Sequence, residues 1–288
     1  MLPIATTIAS TVLVAAFAAR HFASARWGAV AAALFATMPV VWLAVRGGAT
    51  QVVLLPFILA TLCFFDLFYR GEKWTWLLLA GGAAAMMLYV HLAGFVMAPV
   101  YLAVGALVLL PRRDRIVAIG ALAGGFALVA SPWAIRWLRD PGLLREAINA
   151  YGLYDADRFN LLQGMREMTS WTGLTVRSEM YWDSFNPAVL FLGTGNFAHS
   201  LIGSKVFLLP FALPLALGLA GYVLHPRGPI DKLVLWSFVA APLAAALIAQ
   251  PTPPRLILLA PAAAIIATRG CFPVLARLAP LLRRPRRQ

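Results

Sequence analysis

The sequence predicts an all-α polytopic membrane protein of about nine transmembrane helices with one long external loop. Three observations carry that prediction. Of the 288 residues, 61% are hydrophobic and 12% charged, and the mean hydropathy is +0.81. A water-soluble domain is nearer half apolar and a quarter charged, so an ordinary soluble enzyme is excluded. Apolar stretches near the ~20 residues that cross a bilayer as helix recur along the chain. The excess of 24 basic over 11 acidic residues, net +13, sits in the turns between those stretches. That is how membrane loops carry charge, and no folded nucleic-acid module accompanies it.

The stretches lie near 2–19, 27–45, 51–69, 74–90, 92–110, 116–137, 205–224, 232–250 and 255–270. The first is alanine-rich and N-terminal but lacks a basic leader region, and another span follows at once. It reads as a retained helix and not a signal peptide. The stretch from 74 to 110 is too long for one crossing, so it divides into two short helices meeting at His91 and Gly94.

Charges in the turns give an orientation. Arg20 and Arg26 follow the first span, Arg70 and Lys73 the third, and Arg112, Arg113 and Arg115 the fifth. Arg227 and Lys232 follow the seventh, and Arg269 to Arg287 close the chain. The intervening turns carry only Arg46, His91 and Arg255. The positive-inside rule then places the amino terminus outside and the carboxyl terminus in the cytoplasm of a plasma (inner) membrane. The chain divides into an N-terminal bundle of about six spans (1–137), an external loop with interfacial helices (138–204), three C-terminal spans (205–270) and a basic tail (271–288). The loop holds seven of the eleven acids: Asp140, Glu146, Asp155, Asp157, Glu167, Glu179 and Asp183. Within it Asp140 suits an N-cap and Pro141 the first helical position, which predicts a helix over 140–150. The tail arginines suit anionic lipid.

Soluble-enzyme motifs are missing: there is no glycine-rich phosphate loop, HExxH, GxSxG or CxxC, and Gly193-Thr194-Gly195 is a turn signal. The four histidines do not sit at metal-ligand spacing, so no metal site is expected. Cys63 and Cys271 lie far apart in apolar surroundings and read as buried packers. Asp66 and Arg70 read as a helix-end pair at i,i+4. Mid-membrane acids are lacking, which disfavours an ion-coupled transporter.

Several segments resemble a known family. YWDSFNPAVLFLGTGN at 181–196, with His199 and Gly203, is followed by LLPFALP at 208–214. WLLLAGG at 76–82 runs on to YVHLAG at 89–94, and PRLILLAP occupies 254–261. In this order they resemble the GT-C superfamily of membrane glycosyltransferases, in particular its protein mannosyltransferase-like and aminoarabinose transferase-like group. The matching patterns there are "Y..FSP.FLF..GD....H....G", "WLLAGLALGLA.LTH..G" and "PRYLLPALP". The chain departs from that family in two places. Met1-Leu2-Pro3 aligns with the segment that follows the family's first external loop, so the first span and its acidic motif are expected to be lacking. Where the family has an acid in an "SR...D" context, RGGATQV at 46–52 keeps the arginine and has no acid.

The resemblance implies transfer of a sugar from a polyprenyl-phosphate donor to a lipid, protein or glycan acceptor at the external face. Such a step needs a carboxylate to handle the acceptor hydroxyl, and cations or a divalent metal for the departing phosphate. The donor-phosphate candidates are Arg46, His91, Lys205 and Arg255, at external span ends; the alternative for the three cations is a snorkelling anchor at a helix end, and for His91 a buried hydrogen-bonding helix-end residue. Asp183, at the head of the 181–196 motif, is the candidate catalytic carboxylate. The alternative is a non-catalytic GT-C-like membrane protein that binds lipid or a partner subunit.

Overall fold

The computed structural model describes residues 2–193, 205–247 and 253–282. It is 82% helix and has no strand among the described residues. α1 is Leu2–His21, α2 Ala25–Ala36 and α3 Pro39–Arg46; a 3-10 turn, Thr50–Leu54, leads into α4 (Leu55–Gly71). α5 (Trp74–Val90) and α6 (Gly94–Leu109) make the divided hairpin, and α7 is Arg115–Arg139. Three shorter helices follow: α8 (Pro141–Tyr151), α9 (Leu161–Met168) and α10 (Trp171–Asp183). A 3-10 turn, Leu209–Phe211, opens α11 (Ala212–Leu224). α12 (Pro229–Ala240) and α13 (Leu243–Leu247) come next, then the 3-10 turn Pro253–Leu259 and α14 (Ala260–Leu282).

Helix forms in all nine apolar stretches, but not all are of span length. Five helical stretches are long and apolar enough to cross a membrane, or six if the bent pair α2–α3 is one span. The remaining three are α5, α6 and Leu209–Leu224, each of 10–17 residues. Local breaks shorten them. His91 closes α5 in an extended conformation (φ −162°, ψ 149°) before Gly94 opens α6. Leu208 is likewise extended (φ −72°, ψ 147°) ahead of Pro210. The 56° bend between α2 and α3 has a proline cause: Pro39 forces Met38 out of the helical region, to φ −67° and ψ 127°. At the other extreme, α14 continues past the expected end at 270 to Leu282.

Hydrocarbon solvent supplies no hydrophobic drive between helices, so close packing must hold them. Two glycine-mediated crossings do this. A Cβ added at Gly81 would lie 2.0 Å from the Leu122 carbonyl oxygen, and one at Gly125 2.0 Å from that of Leu78, so α5 and α7 touch backbone to backbone. α11 and α14 meet in the same way, at Gly218 against Ile266 and Gly270 against Pro214. The buried interior collects Phe17, Phe35, Leu59, Phe65, Met97, Leu233 and Ile265 from six helices. α7 and α1 are peripheral, with Ile116, Leu128, Leu138, Ile4, Ile8 and Val12 exposed, as suits a lipid-facing helix.

The expected helix at 140–150 forms as α8. Asp140 caps it by accepting a hydrogen bond from the Gly142 N–H (3.1 Å), Pro141 sits in its first turn, and Gly152 closes it at φ 70°.

Candidate functional site

The loops between helices fall at two ends of the bundle, one basic and one not. At the non-basic end α3 packs against the turn Pro253–Leu259, and the turn Thr50–Leu54 packs against both. A short strap ties α3 to the turn Ala188–Leu192: the Val40 N–H donates to the Val206 carbonyl (3.4 Å), and the Phe207 N–H donates to the Leu190 carbonyl (2.8 Å). Val206 and Phe207 are buried, which anchors the strap. Three of the four cationic candidates are thereby carried on elements that touch. Lys205 starts the strap and is exposed; Arg46 ends α3, also exposed, about 9 Å along the helix from Val40. Arg255 lies in the turn Pro253–Leu259, its side chain outside the described residues.

His91 caps α5, half-buried, and its Nδ1 accepts from the Ala93 N–H at 2.9 Å, which fits the helix-end reading. Asp183 is the last residue of α10, half-buried, and forms no ion pair among the described residues. The structure brings the strap, α3 and the Pro253–Leu259 turn together; no hydrogen bond or ion pair among the described residues joins Asp183 to them. Thr194, Gly195, Asn196, His199, Gly203 and the arginines at 283–287 lie outside the described residues.

Arg177, which the sequence did not single out, fixes the segment that follows α7. Its guanidinium donates to the carbonyls of Leu247 (3.0 Å), Gly173 (3.1 Å) and Leu153 (3.1 Å), tying α10 to α13 and to the chain after α8. Tyr181 donates its hydroxyl to the Val239 carbonyl at 2.9 Å, and burial pushes its phenol above the ordinary range. Bundle-facing Gly173, Arg177, Met180 and Tyr181 recur at helical spacing, while Trp171 and Trp182 are exposed. α10 therefore lies on the ends of α12 and α13 with one face down.

The basic end holds two buried carboxylates, one on each side of the α1 terminus. Asp66 on α4, 3% exposed, pairs with Arg70 (3.1 Å) as the i,i+4 spacing predicts, and also with Arg20 (3.3 Å). Asp231 in the first turn of α12 is 1% exposed. Arg269 of α14 reaches it at 2.6 Å, His21 Nε2 lies 3.0 Å away, and the Arg227 N–H donates at 2.7 Å. The Tyr222 hydroxyl of α11 lies 3.2 Å from the same His21 nitrogen, and its ring lies under Arg269 at 4.7 Å. Arg269, grouped by the sequence with the closing basic run, is instead buried in a cluster to which four helices contribute. A guanidinium survives there because a carboxylate, a carbonyl and an aromatic face together replace its water. The available signal was one arginine interrupting the apolar run AAAIIATRGCF, with an acid at the head of the preceding span.

Among the described residues no group of three or more histidine, cysteine, aspartate or glutamate side chains converges to hold a metal ion, so a divalent cation has no ready-made ligand set there. The fold and its charge layout define an all-helical membrane protein. No family model, curated protein or solved structure matches the chain.

Proposed function

We propose that this chain is a GT-C-type membrane glycosyltransferase, or part of one, that engages a polyprenyl-phosphate-linked sugar at the non-basic end of the bundle. One observation supports this reading most directly: α3, bearing Arg46, packs against the Pro253–Leu259 turn that carries Arg255 and is hydrogen-bonded to the strap that carries Lys205. In the proposed topology all nine helical stretches cross, the three short ones with local thinning of the bilayer. The amino terminus is then external and the basic end cytoplasmic. The cations neutralise the charge that builds on the lipid phosphate as the sugar leaves, arginine by paired donors and lysine as a point charge. Transfer to a lipid, protein or glycan acceptor also needs a carboxylate against the acceptor hydroxyl. Asp183 is the candidate for that role.

A second reading is favoured by the unlinked position of Asp183: a GT-C-like protein that binds lipid or a partner subunit without transferring sugar. Purified chain with a labelled polyprenyl-phosphate sugar separates the two. Binding with turnover that Asp183→Asn removes supports transfer; binding without turnover supports the second reading. Lipid binding unaltered in both Arg46→Ala and Arg255→Ala removes the phosphate-site assignment. A reporter fused after Gln288 that scored as external would overturn the topology.

A further inference from the structure

At the basic end, Pro111 to Val117 line an open groove of about 610 Å³ between α6 and α7. Its charges are unequally engaged. Arg112 donates twice to Asp114, at 2.8 and 2.9 Å, and stacks over the rings of Phe68 (4.9 Å) and Tyr69 (5.8 Å). Glu72 adds a contact at 3.7 Å. The Arg112 guanidinium holds the Asp114 carboxyl below the ordinary carboxylate range. Arg112 is thus a strut that fixes the loop against α4, and it takes up the loop's own acid.

Arg113 and Arg115 are left exposed, with no ion pair among the described residues. Directly beside them Ile116 is 82% exposed and Val117 57%, and Leu107 and Leu110 at the end of α6 are exposed too. Two uncompensated cations above an apolar wall match an amphiphile with an anionic head. A soluble anion would leave the wall unused, and a zwitterionic lipid carries its own cation to oppose the arginines.

We infer that this groove binds an anionic glycerophospholipid of the leaflet at the basic end, with its phosphate on Arg113 and Arg115 and acyl chain along Ile116 and Val117. The inference does not depend on the proposed transferase site, which lies at the opposite end. The loop is fixed before binding, so little ordering is lost when the headgroup docks. Each basic residue near a membrane surface is worth ~1 kcal/mol toward anionic lipid, roughly 5-fold in affinity, or about 30-fold for the pair.

The test is native mass spectrometry of the full chain in detergent, titrated with phosphatidylglycerol or phosphatidylcholine, with inorganic phosphate as competitor. Expected are a preference for phosphatidylglycerol, its loss by roughly 30-fold in R113Q/R115Q, retention in R113K/R115K, and weaker retention in I116S/V117S. An R145Q/R158Q variant of the external segment controls for net charge and should bind as the parent does. Equal binding of the two lipids, or an unchanged R113Q/R115Q, overturns the inference. So does ready displacement by inorganic phosphate together with an unaffected I116S/V117S, which would mark a plain anion site.

Discussion

Removal of Asp231 tests how the bundle is held at its basic end. The carboxylate is 1% exposed and receives Arg269 at 2.6 Å, the Arg227 N–H at 2.7 Å and the contact with His21 at 3.0 Å. Asp231→Ala leaves the Arg269 guanidinium, 8% exposed, buried without its counter-charge. Breaking one partner of a buried pair costs about 3–5 kcal/mol, a factor of roughly 150 to 5,000 in the folding equilibrium. A surface pair costs about 0–1 kcal/mol. Arg145–Asp157, with side chains 56% and 67% exposed, is the internal comparison. Replacing both groups with apolar residues of similar volume, Asp231→Leu with Arg269→Met, removes the stranded charge and should recover much of the loss. The assay is equilibrium unfolding in mixed micelles for both single variants, the double and Arg145→Ala. Stranded-charge reasoning fails if Asp231→Ala costs no more than Arg145→Ala, or if the double variant is as unstable as the sum of the singles.

Three further outcomes are expected. Gly218→Val should destabilise by about 1–3 kcal/mol, because its Cβ would lie 2.0 Å from the Ile266 oxygen and push α11 off α14; Gly120→Val, with open space around it, is the control, and unfolding midpoints compare them. Arg177→Ala should release α10 from α13 without unfolding the spans, raising amide hydrogen exchange over 171–183 while leaving α5 and α7 unchanged. Asp114 has a lowered pKa, so its bond to Arg112 is fully present above the ordinary carboxylate range and is lost as pH falls through the depressed value. Exchange at the head of α7 should rise on that acid side, and Asp114→Asn should show the raised rate at neutral pH.

The sequence by itself determined the helical, membrane character and the position of every apolar stretch. Both follow from local properties: hydropathy over about 20 residues, and turn-formers such as His91-Gly94 and the Asp140-Pro141 pair, which act within a few residues of themselves. The i,i+4 pair Asp66–Arg70 was legible for the same reason, since a helix fixes the distance between its own side chains. Only the structure decided which stretches reach span length, because hydropathy marks an apolar run but not where its backbone leaves the helix, as it does at His91 and Leu208. It alone placed the strap on Val40 and Leu190 and gave Arg177 its carbonyls. It alone joined His21, Tyr222, Asp231 and Arg269, residues separated by as many as 248 positions. An arginine in a basic run and one inside a bundle look alike in a sequence. What separates them is a counter-charge delivered by another helix, and that is a property of packing.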